Sequence, residues 1–195
     1  MRHNFLKSAA LGLTLIAGSL ATAAFAAPVT YKLDSGHTEV LFSWSHFGFS
    51  NPTAKFQSAE GTLVLDQENP AASSVEVKFD INSINSGVGA FDDHLKSADF
   101  FDAAQFPTAT FKSTKVELTG ADTAKVTGDL TIKGVTKPIV LDVKLNKIGE
   151  NFKGETIAGF SAKGELKRSE FNAGAYAPAV SDEIKLKITV EAVKQ

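Results

Sequence analysis

Hydrophobic residues recur at every second position along most of this 195-residue chain, and that period restricts its architecture more than any other feature. Val75, Val77, Phe79 and Ile81 alternate with Glu76, Lys78 and Asp80. Ile139, Leu141, Val143 and Leu145 alternate around Asp142 and Lys144, and Ile184, Leu186, Ile188 and Val190 around Lys185, Lys187, Thr189 and Glu191. Successive side chains of a strand point to opposite faces, so such runs describe strands with one dry and one wet face. Weaker runs over 29–33, 38–46, 61–66, 108–118, 124–132 and 156–166 bring the candidates to about nine. Turn chemistry separates them, as at Gly120-Ala121-Asp122, Gly134-Val135-Thr136 and Gly149-Glu150-Asn151. Evenly spaced strands without intervening helices predict an all-β, antiparallel sandwich or barrel rather than β/α units.

One stretch departs from this rhythm. Between Ser86 and Pro107, Phe91, His94, Leu95 and Ala98 fall at helical spacing, and Asp92 and Asp93 supply the acids favoured in a first turn. A short helix is expected near residues 88–98, where it would lie across a barrel mouth. The wet faces carry Lys185, Lys187 and Glu191, and Tyr and Trp number only 2 and 1. An outer-membrane barrel, apolar outside and girdled by aromatics, is therefore not expected.

Residues 1–26 read as a cleaved secretory leader. Arg2 and Lys7 form a basic start, Ala9–Ala21 an apolar run, and Ala24-Phe25-Ala26 a small-x-small cleavage site. The apolar run is short of the roughly 20 residues that span a bilayer. Cleavage would leave one domain, 27–195, and removing Arg2 and Lys7 would take the net charge from −2 to −4. The expected product is a periplasmic protein without a stable membrane anchor. Its charge balance gives no footprint for nucleic acid.

The chain has no Cys, which excludes a disulfide, a thiol nucleophile and a thiolate metal site. Serines are present, but none lies in a G-x-S-x-G elbow, and no Gly-rich phosphate loop occurs. The histidines His37, His46 and His94 lack the short mutual spacing that puts two metal ligands on one element. Neither a catalytic set nor a cofactor or metal site is expected. Arg168 is expected to play a structural part at the barrel end, with an anionic head group as the other possibility.

Phe number 15, an apolar stock without hydroxyl handles. As a strand, 40–46 would place Val40, Phe42, Trp44 and His46 on one aromatic, inward face. Two readings of such an interior remain open: a filled core with one satisfied polar group, or an apolar pocket with a polar group to orient a ligand. An eight-stranded barrel stands at that boundary. On the second reading the lining comprises Val40, Phe42, Trp44, His46, Phe79 and Ile81, then Leu130, Ile132, Leu141, Leu186 and Ile188. Phe91, Leu95 and Phe101 would stand at its mouth.

Several motifs in order along 29–193 resemble the YceI-like family. They include Tyr31-x-Leu33-Asp34-x-x-His37, Gly128-x-Leu130-x-Ile132-x-Gly134 and Arg168-Ser169-x-Phe171. The most specific is Asp92-x-His94-Leu95-Lys96-Ser97-x-Asp99-Phe100-Phe101-Asp102. The resemblance implies a lipocalin-like antiparallel β-barrel of about eight strands whose cavity holds a polyisoprenoid or similar long apolar lipid, such as a prenyl quinone. It implies transport, storage or sequestration rather than catalysis, and an exposed strand edge would permit a homodimer. Phe91 stands where many relatives carry a basic residue, and Asn172 where a Gly is common.

Overall fold

A computed structural model describes residues 27–195; the leader expected over 1–26 lies outside the described residues. Among the described residues, eleven strands and one α-helix follow one another in the order β1 (Val29–Leu33), β2 (Glu39–Ser43), β3 (Thr53–Phe56), β4 (Ala59–Leu65), β5 (Ser74–Asp80), β6 (Ile84–Asn85), α1 (Gly89–Lys96), β7 (Thr108–Leu118), β8 (Thr123–Ile132), β9 (Val135–Glu150), β10 (Thr156–Lys167) and β11 (Glu183–Lys194).

All pairings are antiparallel, and β1–β4–β5–β7–β8–β9–β10–β11 closes on itself through β1 and β11 as an eight-strand barrel. Short strands double up along the wall. β11 pairs with β2 through Lys185–Thr189 and with β1 through Ala192–Lys194, so β1 and β2 occupy successive halves of one wall position. β3 and β4 do the same beside them, pairing with β2 and β1 respectively. Closure removes the unpaired edges that an open sheet of this size would expose.

The registers separate the two ends of the barrel. The β4–β5, β7–β8 and β9–β10 connections, residues 66–73, 119–122 and 151–155, turn at one end. At the other end lie 44–52, 81–107 with α1, the β8–β9 turn and 168–182. Lys133 and Gly134, with φ of 52° and 73°, form that tight β8–β9 turn, whose two left-handed residues match the twist of the flanking strands. The Lys133 ammonium donates to the carbonyls of Ala98 (2.6 Å) and Asn172 (2.9 Å), tying two capping segments together.

The expected helix is present as α1. It is only eight residues long, too short to persist without tertiary packing. Leu95 is buried beneath it, and Asp92 in its first turn accepts 2.6 Å hydrogen bonds from the Ser86 amide and hydroxyl. Those bonds, the hydroxyl's foremost, hold the Asp92 carboxyl below the usual carboxylate range. Asn172 takes φ 57° and ψ 27°, the left-handed conformation a glycine would supply and one that Asn tolerates.

Two expectations are corrected here. The strand expected over 38–46 stops at Ser43; His46 bridges Ser50 and Val180 instead and is exposed at the barrel end. The strand ending with Ile81 stops at Asp80, whose carboxylate accepts from the Asn82 amide and opens a 3-10 turn over Ile81–Ser83. Ile81 donates its N–H to Pro107 (2.9 Å) and is 1% exposed.

Candidate functional site

The inward faces enclose a cavity of about 740 Å³, within the roughly 300–1,000 Å³ typical of ligand pockets. It runs the length of the barrel, from Gln67, Pro70 and Asp122 at the hairpin end to His94 and Tyr176 at the capped end. Its wall is built by strict alternation: Val75, Val77 and Phe79 on β5, Leu141, Val143 and Leu145 on β9, and Ile184, Leu186, Ile188 and Val190 on β11 all face the cavity. Their polar neighbours are exposed outside, where Glu76 pairs with Lys112 (3.4 Å), Asp142 with Lys125 (2.7 Å) and Lys144 with Asp122 (3.5 Å).

Of the side chains expected to line it, the structure brings together Val40, Phe42, Trp44, Phe79, Leu130, Ile132, Leu141, Leu186 and Ile188, with His46 at its edge. Phe91, Leu95 and Phe101 also line it, and they do so at the capped end. Ile81 does not. The turn begun by Asp80 sends it into the packed core instead of the cavity.

The capped end is a dense aromatic assembly. Phe42 stacks on Trp44 with ring centroids 5.8 Å apart, and Phe91 from α1 packs on Trp44 at 5.5 Å. Phe56 meets Phe42 at 5.5 Å and Phe79 at 5.6 Å, and Phe101 lies edge-on to Phe42 at 5.9 Å. Phe91 thus extends the apolar wall where a basic residue would place a charge.

Further lining residues escaped the sequence reading, among them Phe111, Val116, Ile148 and Phe160. Phe111 and Val116 are an odd number apart because a β-bulge between Ser113 and Lys115 inserts one residue. A second bulge leaves Asn146 without a register partner, so Leu145 and Ile148 both face inward.

Polar groups collect at the rim and are largely engaged. Tyr176 donates its hydroxyl to Asp99 Oδ2 (3.1 Å), and that bond with the carboxylate charge pushes the phenol pKa up. His94 Nε2 lies 3.6 Å from the same carboxylate oxygen, with its ring edge-on to Phe100 at 5.0 Å. Arg168 is buried at 6% exposure. Its guanidinium donates to the carbonyls of Ser181 (2.8 Å), Ala173, Ala175 (2.7 Å) and Val180 (2.7 Å) and sits over the Phe100 ring. The structural role expected for Arg168 is the one the structure shows: it pins the 168–182 segment.

On the outer surface, Asp34, His37 and Glu191 hold donor atoms within 4.8 Å of one another. His37 Nδ1 is 2.7 Å from Asp34 Oδ2, within hydrogen-bonding distance across the β1–β2 turn. That hydrogen bond raises the His37 pKa and lowers the Asp34 pKa from their ordinary values.

A closed eight-strand antiparallel barrel, capped at one end by a short helix and hollow along its axis, defines the class. The YceI-like domain matches residues 31–192, and the chain belongs to that family. It is 40% identical over 192 residues to the YceI protein of Escherichia coli, across 97% of this chain and 100% of that one. The crystal structure of Burkholderia cenocepacia BcnA superposes with a TM-score of 0.75 at 25% identity, covering 82% of this chain and 98% of that one. A polyisoprenoid binding domain from Saccharophagus degradans shares the fold at 15% identity and a TM-score of 0.63, covering 86% and 99%.

Proposed function

We propose that this protein binds a long apolar lipid, a polyisoprenoid or prenyl quinone, along the barrel axis and carries or stores it outside the cytoplasm without altering it chemically. The observation that carries the reading is the cavity itself: about 740 Å³, elongated and apolar from one end nearly to the other. Water in such a space would forfeit hydrogen bonds, whereas a hydrocarbon tail gains about 0.8 kcal/mol per buried methylene. Summed along a long tail, that gain nominally exceeds the practical affinity ceiling of roughly −18 to −21 kcal/mol. Ordering of the tail offsets much of it. Fit to the cavity, more than head-group chemistry, then selects the ligand. The family and the polyisoprenoid-binding neighbour from Saccharophagus degradans support the same ligand class. The leader expected over 1–26 fits action in the periplasm.

The test is to purify the protein from the periplasm of its own host and analyse the organic extract by mass spectrometry. A stoichiometric isoprenoid is expected. An empty extract from folded protein that also fails to take up added prenyl quinone sinks the reading.

A further inference from the structure

Exposed large apolar side chains are normally scattered, and collected ones mark a contact surface. Four of them stand on the segments that build the capped end: Phe47 (54% exposed), Phe49 (92%), Val88 (58%) and Tyr176 (55%). Phe47 and Phe49 occupy the turn 46–50, where the Phe49 amide donates to the His46 carbonyl (3.0 Å). The Phe47 amide donates to the Ala179 carbonyl (2.8 Å), which joins this turn to the segment carrying Tyr176. Val88 is the N-cap of α1, whose Phe91 packs on Trp44.

The cavity wall is continuous with this surface. Phe47 and Tyr176 line the cavity and are also more than half exposed, so an apolar path leads from the barrel interior to the outside. At the hairpin end Leu118 also lines the cavity at 55% exposure and the β9–β10 turn carries Phe152, but the rim there adds the polar Gln67, Ser73, Asp122 and Thr123, and the larger set of exposed apolar groups stands at the capped end. We propose that the capped end docks on the surface of a phospholipid bilayer, inserting Phe47, Phe49, Val88 and Tyr176 among the head groups so that a lipid moves between membrane and barrel without crossing water. This rests on the lipid-binding reading above. A bilayer suits the geometry because single rings on turn tips are convex and enter a soft interface without needing a preformed pocket. Charges of both signs stand on the same segments, Asp93 paired with Lys96 on α1 (3.5 Å) and Asp99 bonded to the Tyr176 hydroxyl, so insertion of apolar groups and not net charge drives the binding.

The experiment is co-flotation of the purified protein with vesicles of phosphatidylethanolamine and phosphatidylglycerol, at low and high salt. The unaltered protein is expected to float at both. The double variant Phe49→Ser/Val88→Ser should bind about tenfold or more weakly, since burying one such side chain is worth a factor of that order. Neither residue lines the cavity, and Ser is a favourable N-cap, so the fold and the response of Trp44 fluorescence to prenyl quinone should persist. Phe152→Ser, at the opposite end, should leave flotation unchanged. The proposal is overturned if the unaltered protein stays in solution, if high salt releases it, or if Phe152→Ser is the variant that detaches it. It is also overturned if the double variant floats normally but turns a dimer into a monomer, which would make a second copy the partner. Patch-dependent flotation without any Trp44 response would keep the docking surface and refute the lipid-binding reading.

Discussion

The Phe111 ring lies against Gly128 across the β7–β8 pair so closely that a Cβ on Gly128 would fall 2.4 Å from Phe111 Cζ and 2.7 Å from the Lys112 carbonyl oxygen. The missing side chain gives the aromatic ring its place, and the ring in turn covers backbone that the glycine leaves bare. Gly128→Ala is therefore expected to displace Phe111 towards the cavity and to destabilise the fold by about 1–3 kcal/mol, the usual range for overpacking. Urea unfolding of the variant checks it; an unchanged midpoint would show that the ring has room to move.

Trp44 is the single tryptophan of the sequence, buried at 6% exposure between Phe42 and Phe91 and lining the cavity. Its emission is expected to fall on titration with a prenyl quinone and to stay constant with a short polar quinone. A quinone ring and indole that never approach each other would leave the emission flat in both titrations.

Arg168 spreads its donors over four carbonyls, and the planar fork suits that arrangement as a single ammonium cannot. Arg168→Lys should cost about 3 kcal/mol, because carbonyls left without donors cost about 1–3 each. Limited proteolysis should cut first within 169–182, the segment the guanidinium holds. Cleavage spread evenly along the chain would contradict this.

The His37–Asp34 pair makes stability depend on pH in a defined direction. His37 has its pKa raised above the ordinary 6.5, so its contribution is complete below that value and is lost as pH rises through the higher folded value. Asp34 is lowered from 3.8, so its contribution is present above 3.8 and lost as pH falls through the lower folded value. His37→Ala should lower Tm most at about pH 5.5 and lose its effect towards about pH 9. Melts at both values test this, and an equal decrement at each would assign His37 a packing role.

Much of this architecture is legible in the order of residues, because solvent sorts side chains by face. β5, β9 and β11 follow from alternation alone, and the inward positions Phe79, Leu141, Leu186 and Ile188 follow with them. β3 and β6 are too short, at four and two residues, to establish a period, and Pro52 obscures the start of the first. The bulges on β7 and β9 shift the phase mid-strand, which hid Val116 and Ile148. Ile81 was misplaced for a local reason: Asp80 bonds the amide two residues on, and that short-range bond outcompetes continuation of the strand. The hollow itself cannot be read from composition. Whether an aromatic interior fills or stays open depends on where rings such as Phe91 and Phe101 come to rest, and the long-range packing decides that.

The seam of the barrel joins Tyr31 to Lys194 and Leu33 to Ala192, so the first strand, paired on one side with β4, finds its second partner only in the last. A chain delivered N-terminus first holds its interior open until the final dozen residues arrive, and loop closure over nearly its whole length comes late and slowly. Until then the apolar faces of the nascent wall are exposed to whatever is nearby. The container is therefore completed, and its inner face hidden from water, only in the last step of assembly.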